Sequence, residues 1–189
     1  ARREFGSNGV KRHMTGLLAG KCVKKRDYGD SQWDDKPVDA DLLESVIAMG
    51  EYQIIWGGNY FDLGPAKCIL VWDKQRGDTD YADGEIAWTN RKRSLRLIRW
   101  KWNGFLQQNS GEAKEDRWHP TQKPFSVMAW CLKQAPVTVR TVLDPFMGSG
   151  TTLMACKAHG VQCTGIEREE KYCAIAANRL RQGVLWGAD

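Results

Sequence analysis

The segment from Asp144 to Thr152, DPFMGSGTT, joins a short apolar run to a run of helical character through a glycine turn. Such a junction offers free backbone N–H groups and close backbone approach to a ligand. Two ligands can be tested on the residues. A phosphate loop of the Walker type needs G-x-x-x-x-G-K and then Ser or Thr, but Gly150 is followed by Thr151. A dinucleotide fingerprint needs a third glycine three residues after the second, and Leu153 occupies that place. Neither fits. What remains is a strand ending at Asp144, the turn itself, and Glu167 at the end of the next apolar run, 23 residues after Asp144. A carboxylate there can accept hydrogen bonds from both hydroxyls of a ribose. The arrangement suits an adenosine-containing ligand with no required phosphate.

A second chemistry lies in the cations. The net charge is +5, and the excess is concentrated in two blocks. Residues 1–26 carry eight Lys or Arg against one Glu, and RKRSLRLIRWKW, Arg91 to Trp102, carries six against none. Such blocks point to a polyanionic partner, with Arg91, Lys92, Arg93, Arg96, Arg99 and Lys101 as candidate contacts. In an extended strand Arg99 and Lys101 point one way and Trp100 and Trp102 the other. The cations can then neutralise phosphates while the tryptophans anchor the strand to the core; stacking of an exposed tryptophan on a base is the alternative. Six cysteines occur without a C-x-x-C pair, and none of the three histidines has ligand spacing to a cysteine pair, so no metal site is expected. Three of the cysteines lie in apolar periodic segments, which reads as reduced core thiols of a cytoplasmic protein. No apolar run approaches the roughly 18 residues of a membrane span, and no signal peptide is visible.

The elements that must position these residues can be read from periodicity and punctuation. With 189 residues, 42% hydrophobic and 27% charged, the chain suits a single domain. Residues 1–27 read as a mobile basic loop. DADLLESVIAMG reads as a capped amphipathic helix, and YQIIWGGNYF as a short buried strand stopped by Gly57 and Gly58. CILVWDK and EIAWTN are two further strands, and SLRLIRWKW continues the β structure. PFSVMAWCLKQA is a helix with Pro124 in its first turn. Strand TVRTVLD, helix TTLMACKAHG, strand VQCTGIE and helix EEKYCAIAANRLRQG follow. The alternation predicts an α/β fold with a mostly parallel, doubly wound sheet.

DPFMGSGTT resembles the S-adenosylmethionine motif of the DNA methyltransferases that methylate the exocyclic amine of adenine or cytosine. HPTQKP, His119 to Pro124, resembles the segment preceding that motif in the permuted, β-type arrangement, and GIEREEKYCAIAANRL resembles the acidic ribose strand and its helix. IIWGGNYF, LVWDK and AWTN are similar to the middle of phage-type members, so the resemblance runs from about Tyr28 to Leu180. It implies a Rossmann-like, S-adenosylmethionine-dependent methyltransferase fold, with residues 28–116 facing target base and DNA and residues 117–189 binding the cofactor. It implies that Asp144 faces the methionine ammonium and Phe146 packs beside the cofactor. Gly148 and Gly150 let the backbone approach, Thr151 and Thr152 open the helix, Glu167 takes the ribose hydroxyls, and Thr121 and Lys123 lie near the methionine carboxylate. Permuted members are often dimers, which raises a homodimer as an expectation.

One part of the family pattern does not occur. Members hold the flipped base and its amine with a D/N/S-P-P-Y/F/W tetrapeptide, whose acceptors and ring prepare the nitrogen for in-line transfer. The chain contains no Pro-Pro, and its only Asp-Pro is Asp144-Pro145 in the glycine turn. The expectation is that the tetrapeptide lies upstream of Ala1; the alternative is a catalytically inactive methyltransferase-like protein that binds DNA or cofactor. Within the chain, Asn59 and Tyr60 supply an amide and a ring at a strand end, and a supporting role is expected of them. The resemblance favours adenine N6 as the target, in restriction–modification or phage DNA protection.

Overall fold

Helix α1 (Ala40–Ala48) starts where the Asp39 carboxylate accepts from the N–H groups of Asp41 and Leu42, at 3.0 and 3.4 Å. This is the first element of the computed structural model, which describes residues 37–77, 80–103, 106–109, 111 and 114–182. The basic segment expected over residues 1–27 lies outside them.

Strands β1 (Ile54–Trp56), β2 (Cys68–Asp73), β3 (Gly84–Thr89) and β4 (Arg96–Arg99) form a sheet of order β1-β3-β2-β4. Burial alternates along β2: Cys68, Leu70 and Trp72 face inward, as a period of two requires. They meet Ala87 of β3 and, from helix α2 (Phe125–Gln134), Cys131 and Val127. Two short strands, β5 (Trp102–Asn103) and β6 (Leu106–Gln107), pair antiparallel beside it. Strands β7 (Thr141–Asp144) and β8 (Gln162–Gly165) then pair in parallel, with helix α3 (Thr151–Ala158) as the crossover and helix α4 (Glu170–Arg181) after them.

The α/β class is as expected, and the sheet is mixed. β2–β4 and β7–β8 are parallel, whereas β3 runs antiparallel to both β1 and β2. The reason lies in the connection. A parallel return needs a crossover of a dozen residues or more, usually a helix, and only the ten residues 74–83 join β2 to β3. Pro124 differs slightly too: it is the N-cap of α2, with ψ 145°, and not a first-turn residue. The thiols of Cys68, Cys131 and Cys156 are buried and unpaired, and burial pushes the Cys131 thiol up to about 12.

Candidate functional site: the glycine turn

Because β7 and β8 are parallel, with Asp144 opposite Gly165, both acidic residues come to the same carboxyl edge, where ligands of open α/β sheets bind. The Asp144 Oδ1 accepts from the Phe146 N–H at 3.1 Å, which starts the turn. The Met147 N–H then reaches across to the Ile166 carbonyl at 3.0 Å, and the Gly150 N–H closes back on the Met147 carbonyl at 2.8 Å. Gly148 and Gly150 have φ of +51° and +78°, left-handed conformations that favour glycine. A Cβ on Gly150 would also stand 2.7 Å from the Ala176 Cβ of α4.

Glu167 ties the two strand ends together. Its Oε2 accepts from the Gly148 N–H at 3.0 Å and its Oε1 from the Glu169 N–H at 2.9 Å. An ionised carboxylate offers about four acceptor positions, so each oxygen keeps one for a ligand hydroxyl. Phe146 in the turn after β7 and Ile166, which directly precedes Glu167, are 53% and 55% exposed, leaving apolar surface open at the strand ends. Thr151 is buried at the start of α3 and Thr152 half-buried beside it. The ring of His119 lies 3.5 Å from where a Gly148 Cβ would be, and it meets Tyr172 edge-on at 4.3 Å. Thr121 Oγ1 is 3.1 Å from the His119 Nδ1, which brings Thr121 to the turn. Lys123 instead lies toward the four-stranded sheet, 3.4 Å from Glu85.

Three side chains hold the turn from behind, and none was singled out from the sequence. Arg179 of α4 donates from Nη1 to the Ser149 carbonyl at 2.6 Å, with Ser149 Oγ at 3.2 Å and Thr151 Oγ1 at 3.3 Å. The buried Ser149 hydroxyl donates to Gln122 Oε1 at 2.9 Å, which also accepts from the Trp118 N–H at 2.8 Å. Gln122 Nε2 donates to the Asp116 carbonyl at 2.8 Å, so the segment before α2, the turn and α4 form one polar network. Glu115, which accepts from the Phe125 N–H, is pushed up by burial; Arg179 is pushed down by burial, against the carboxylates of Glu115 and Asp116. The signal for Arg179 was its spacing: Tyr172, Ala176 and Arg179 lie four and three residues apart on one helix face, and the first two are buried.

The other candidate residues do not join this network. Asn59 and Tyr60 lie in a 3-10 turn, Gly58–Tyr60, after β1, with both side chains exposed. Lys92, Arg93, Arg96 and Arg99 are exposed, while Arg91 and Lys101 are half-buried. Arg99 pairs with Asp73 at 3.4 Å, and the Arg91 guanidinium sits 5.5 Å from the Tyr52 ring centre. Ile98, Trp100 and Trp102 pack against Trp72 and Val127, which makes both tryptophans anchors of the strand. The Trp72 indole N–H donates to the Trp100 carbonyl at 2.9 Å. Among the described residues, no helix is long and apolar enough to cross a membrane, and no group of three His, Cys, Asp or Glu could hold a metal ion.

Residues 41–178 match the family model of the N6 and N4 DNA methylases. The chain belongs to this family. Two relatives give the match at residue level. The Type II methyltransferase M2.LlaDCHI of Lactococcus lactis subsp. cremoris is 36% identical over 89 residues, 46% of this chain and 31% of the relative. M.HinfI, a Type II methyltransferase of Haemophilus influenzae, is 45% identical over 64 residues, 34% of this chain and 18% of the relative. The matched stretches thus span less than a third of these DNA methylases' own length. Among solved structures, the M1.HpyAVI–SAM complex aligns with 77% of this chain and 72% of its own, at 25% identity and a TM-score of 0.45.

Proposed function

We propose that this DNA methylase binds S-adenosylmethionine at the glycine turn and serves methyl transfer to an exocyclic amine of double-stranded DNA, with adenine N6 as the target. The proposed setting is cytoplasmic restriction–modification or phage DNA protection. The observation that carries the reading is the closure of the Gly148 N–H on Glu167 across two parallel strand ends, with acceptor positions to spare. The residues fit the cofactor. Glu167 takes the ribose hydroxyls, Phe146 and Ile166 cover the adenine, and Asp144 faces the ammonium. Gly148 and Gly150 keep the cradle free of side chains, and Thr121 faces the amino-acid end. The bound cofactor supplies an electrophilic methyl on sulfur; the chain's part is to orient it and exclude water. Residues 117–189 are assigned to this task and residues 28–116 to the base and DNA.

No tetrapeptide of the D-P-P-Y type occurs in the 189 residues. By themselves they are therefore expected to bind cofactor and to transfer methyl groups slowly, because losing one positioned polar group at a reacting centre costs about a hundredfold or more. Calorimetry with S-adenosylmethionine, together with labelled methyl transfer to unmethylated duplex and nucleoside analysis, tests both halves. Cofactor binding with N6-methyladenine formed by the full-length protein supports the proposal; N4-methylcytosine would correct the target. Binding without transfer by the full-length protein would establish the inactive alternative. Rapid transfer by the 189 residues alone would move the chemistry to Asn59 and Tyr60.

A further inference from the structure

Helix α3 runs back along β8, and one turn of helix brings a second residue onto the same strand. Leu153 lies against Gly165, where an added Cβ would stand 2.8 Å from the Leu153 Cδ1. Cys156 follows Leu153 by three residues on that helix face, and Cys163 precedes Gly165 by two on that strand face. A crossover helix is antiparallel to the strands it joins, so these spacings set Cys156 beside Cys163. The turn between them is tight: the Cys156 carbonyl accepts from the N–H groups of His159 and Val161, at 3.1 and 2.9 Å. The two thiols share a hydrogen bond in which Cys156 keeps its proton and donates to the sulfur of Cys163. That bond pushes the Cys156 thiol up and draws the Cys163 thiol down, against the effect of burial on the latter.

The two thiols differ in access. Cys156 is fully buried, whereas Cys163 is half-buried and lines a cleft of about 270 Å³ with Leu153, Lys157, Val161 and Leu180. A water takes up about 30 Å³ of the liquid, so the cleft among the described residues admits a molecule the size of a peroxide. Lys157 donates from Nζ to the Leu180 carbonyl, which fixes an ammonium group at the cleft wall. A thiol that is open to small solutes and stands near a cation is the kind that oxidises first. Cys173 is also half-buried, but its S–H is held by the Glu167 carbonyl at 3.4 Å.

We propose that Cys163 and Cys156 form a peroxide-responsive pair, in which Cys163 is oxidised from the cleft and Cys156 closes the disulfide from behind. The Cys163 thiolate attacks one peroxide oxygen: an S–O bond forms, the O–O bond breaks, and the leaving hydroxide takes up the proton that Cys163 released. The Cys156 sulfur then attacks that of Cys163: an S–S bond forms, the S–O bond breaks, and hydroxide departs with the Cys156 proton as a second water. Two electrons pass from the sulfurs to the peroxide, and a dithiol restores the pair by exchange, becoming a disulfide itself. The new bond ties the end of α3 to β8 within the crossover that joins the two strand ends of the glycine turn.

The test treats reduced full-length protein with hydrogen peroxide and maps its peptides by mass spectrometry. The parent should lose two hydrogens at the Cys156 and Cys163 peptides, now linked, and dithiothreitol should reverse the change. Cys156→Ala should abolish the disulfide and let a sulfenic acid accumulate at Cys163, where dimedone traps it. Cys163→Ser should leave Cys156 unmodified while the protein stays folded. In the parent, iodoacetamide should alkylate Cys163 about tenfold faster than Cys173. Oxidation that begins at another cysteine, a disulfide joining any other pair, or alkylation of Cys163 no faster than that of Cys173 would overturn the proposal. Should Cys156→Ala fail to fold, the linked peptides of the parent decide, and their absence sinks the pair.

Discussion

The glycine turn and the β4 segment both carry candidate binding residues, and they are built in opposite ways. At the turn, Asp144, Ser149, Glu167 and Arg179 are each held by hydrogen bonds of 2.6–3.3 Å to fixed partners on other elements or on the neighbouring backbone. On β4, Arg96 is exposed, Leu97 and the preceding Leu95 are 45% and 52% exposed, and Arg99 keeps one long ion pair while its side chain is 68% exposed. A site ordered before its ligand arrives loses little freedom on binding, so each fixed contact counts in full. Exposed cations are screened and mobile, and each adds only a small increment. Substitutions at the turn should therefore act steeply, and those on β4 gradually and in proportion to salt.

The largest effect should come from Gly150→Ala. Its φ of +78° strains any L-residue, and the new Cβ would press on Ala176 at 2.7 Å. Strain and overpacking cost about 1–3 kcal/mol each, so both thermal stability and S-adenosylmethionine affinity should fall. An unchanged melting temperature and affinity would mean that the turn is not rigid. Arg179→Met should follow, at about 1.5–3 kcal/mol for hydrogen bonds from a charged donor. Arg179→Lys should recover part of it, and a lysine variant no better than methionine would show that the guanidinium geometry is essential.

Glu167→Ala should weaken cofactor binding by about 1–3 kcal/mol in calorimetry, and it should also loosen the Gly148 N–H, visible as faster amide exchange. Normal affinity with fast exchange would remove Glu167 from the ligand and leave it as a strut. On the other side of the comparison, Arg96→Ala, Arg99→Ala and Lys101→Ala should each reduce the salt slope of duplex binding by about one unit, with small effects at any single salt concentration. Slopes equal to that of the parent would make this face a solvated surface.

The smallest effect is one of pH. Burial holds the Glu115 carboxyl above its ordinary 4.5, so its contribution to stability is present below 4.5 and is lost as pH rises through the higher folded value. Glu115→Gln should therefore gain stability relative to the parent as pH rises from 4.5 toward neutrality. Urea unfolding across that window measures the difference, and a difference flat with pH would refute the assignment.

Most elements were legible because their signals are local. Asp39 before an apolar-periodic run, glycines at strand ends and alternation along Cys68–Asp73 placed α1, β1 and β2. The motif from Asp144 to Thr152 and the acid at Glu167 were legible for the same reason, since a glycine turn between strand and helix leaves its mark within a few residues. The direction of β3 was not, because strand polarity depends on how a loop returns and both polarities accept the same alternating pattern. Arg179 was hidden among several cations near the end of α4, where charge alone suggests only a partner for the helix dipole.

The sequence by itself determined most of the elements, the glycine turn, the acid that faces it and the family to which the chain belongs. Only the tertiary structure decided which polar side chains share partners: Arg179 with Ser149, Ser149 with Gln122, and Lys74 with Lys123 through Glu85. The physical reason is one of range. Backbone conformation responds to neighbours a few residues away, whereas the pairing of buried polar groups is fixed by desolvation, which acts only after distant elements have packed.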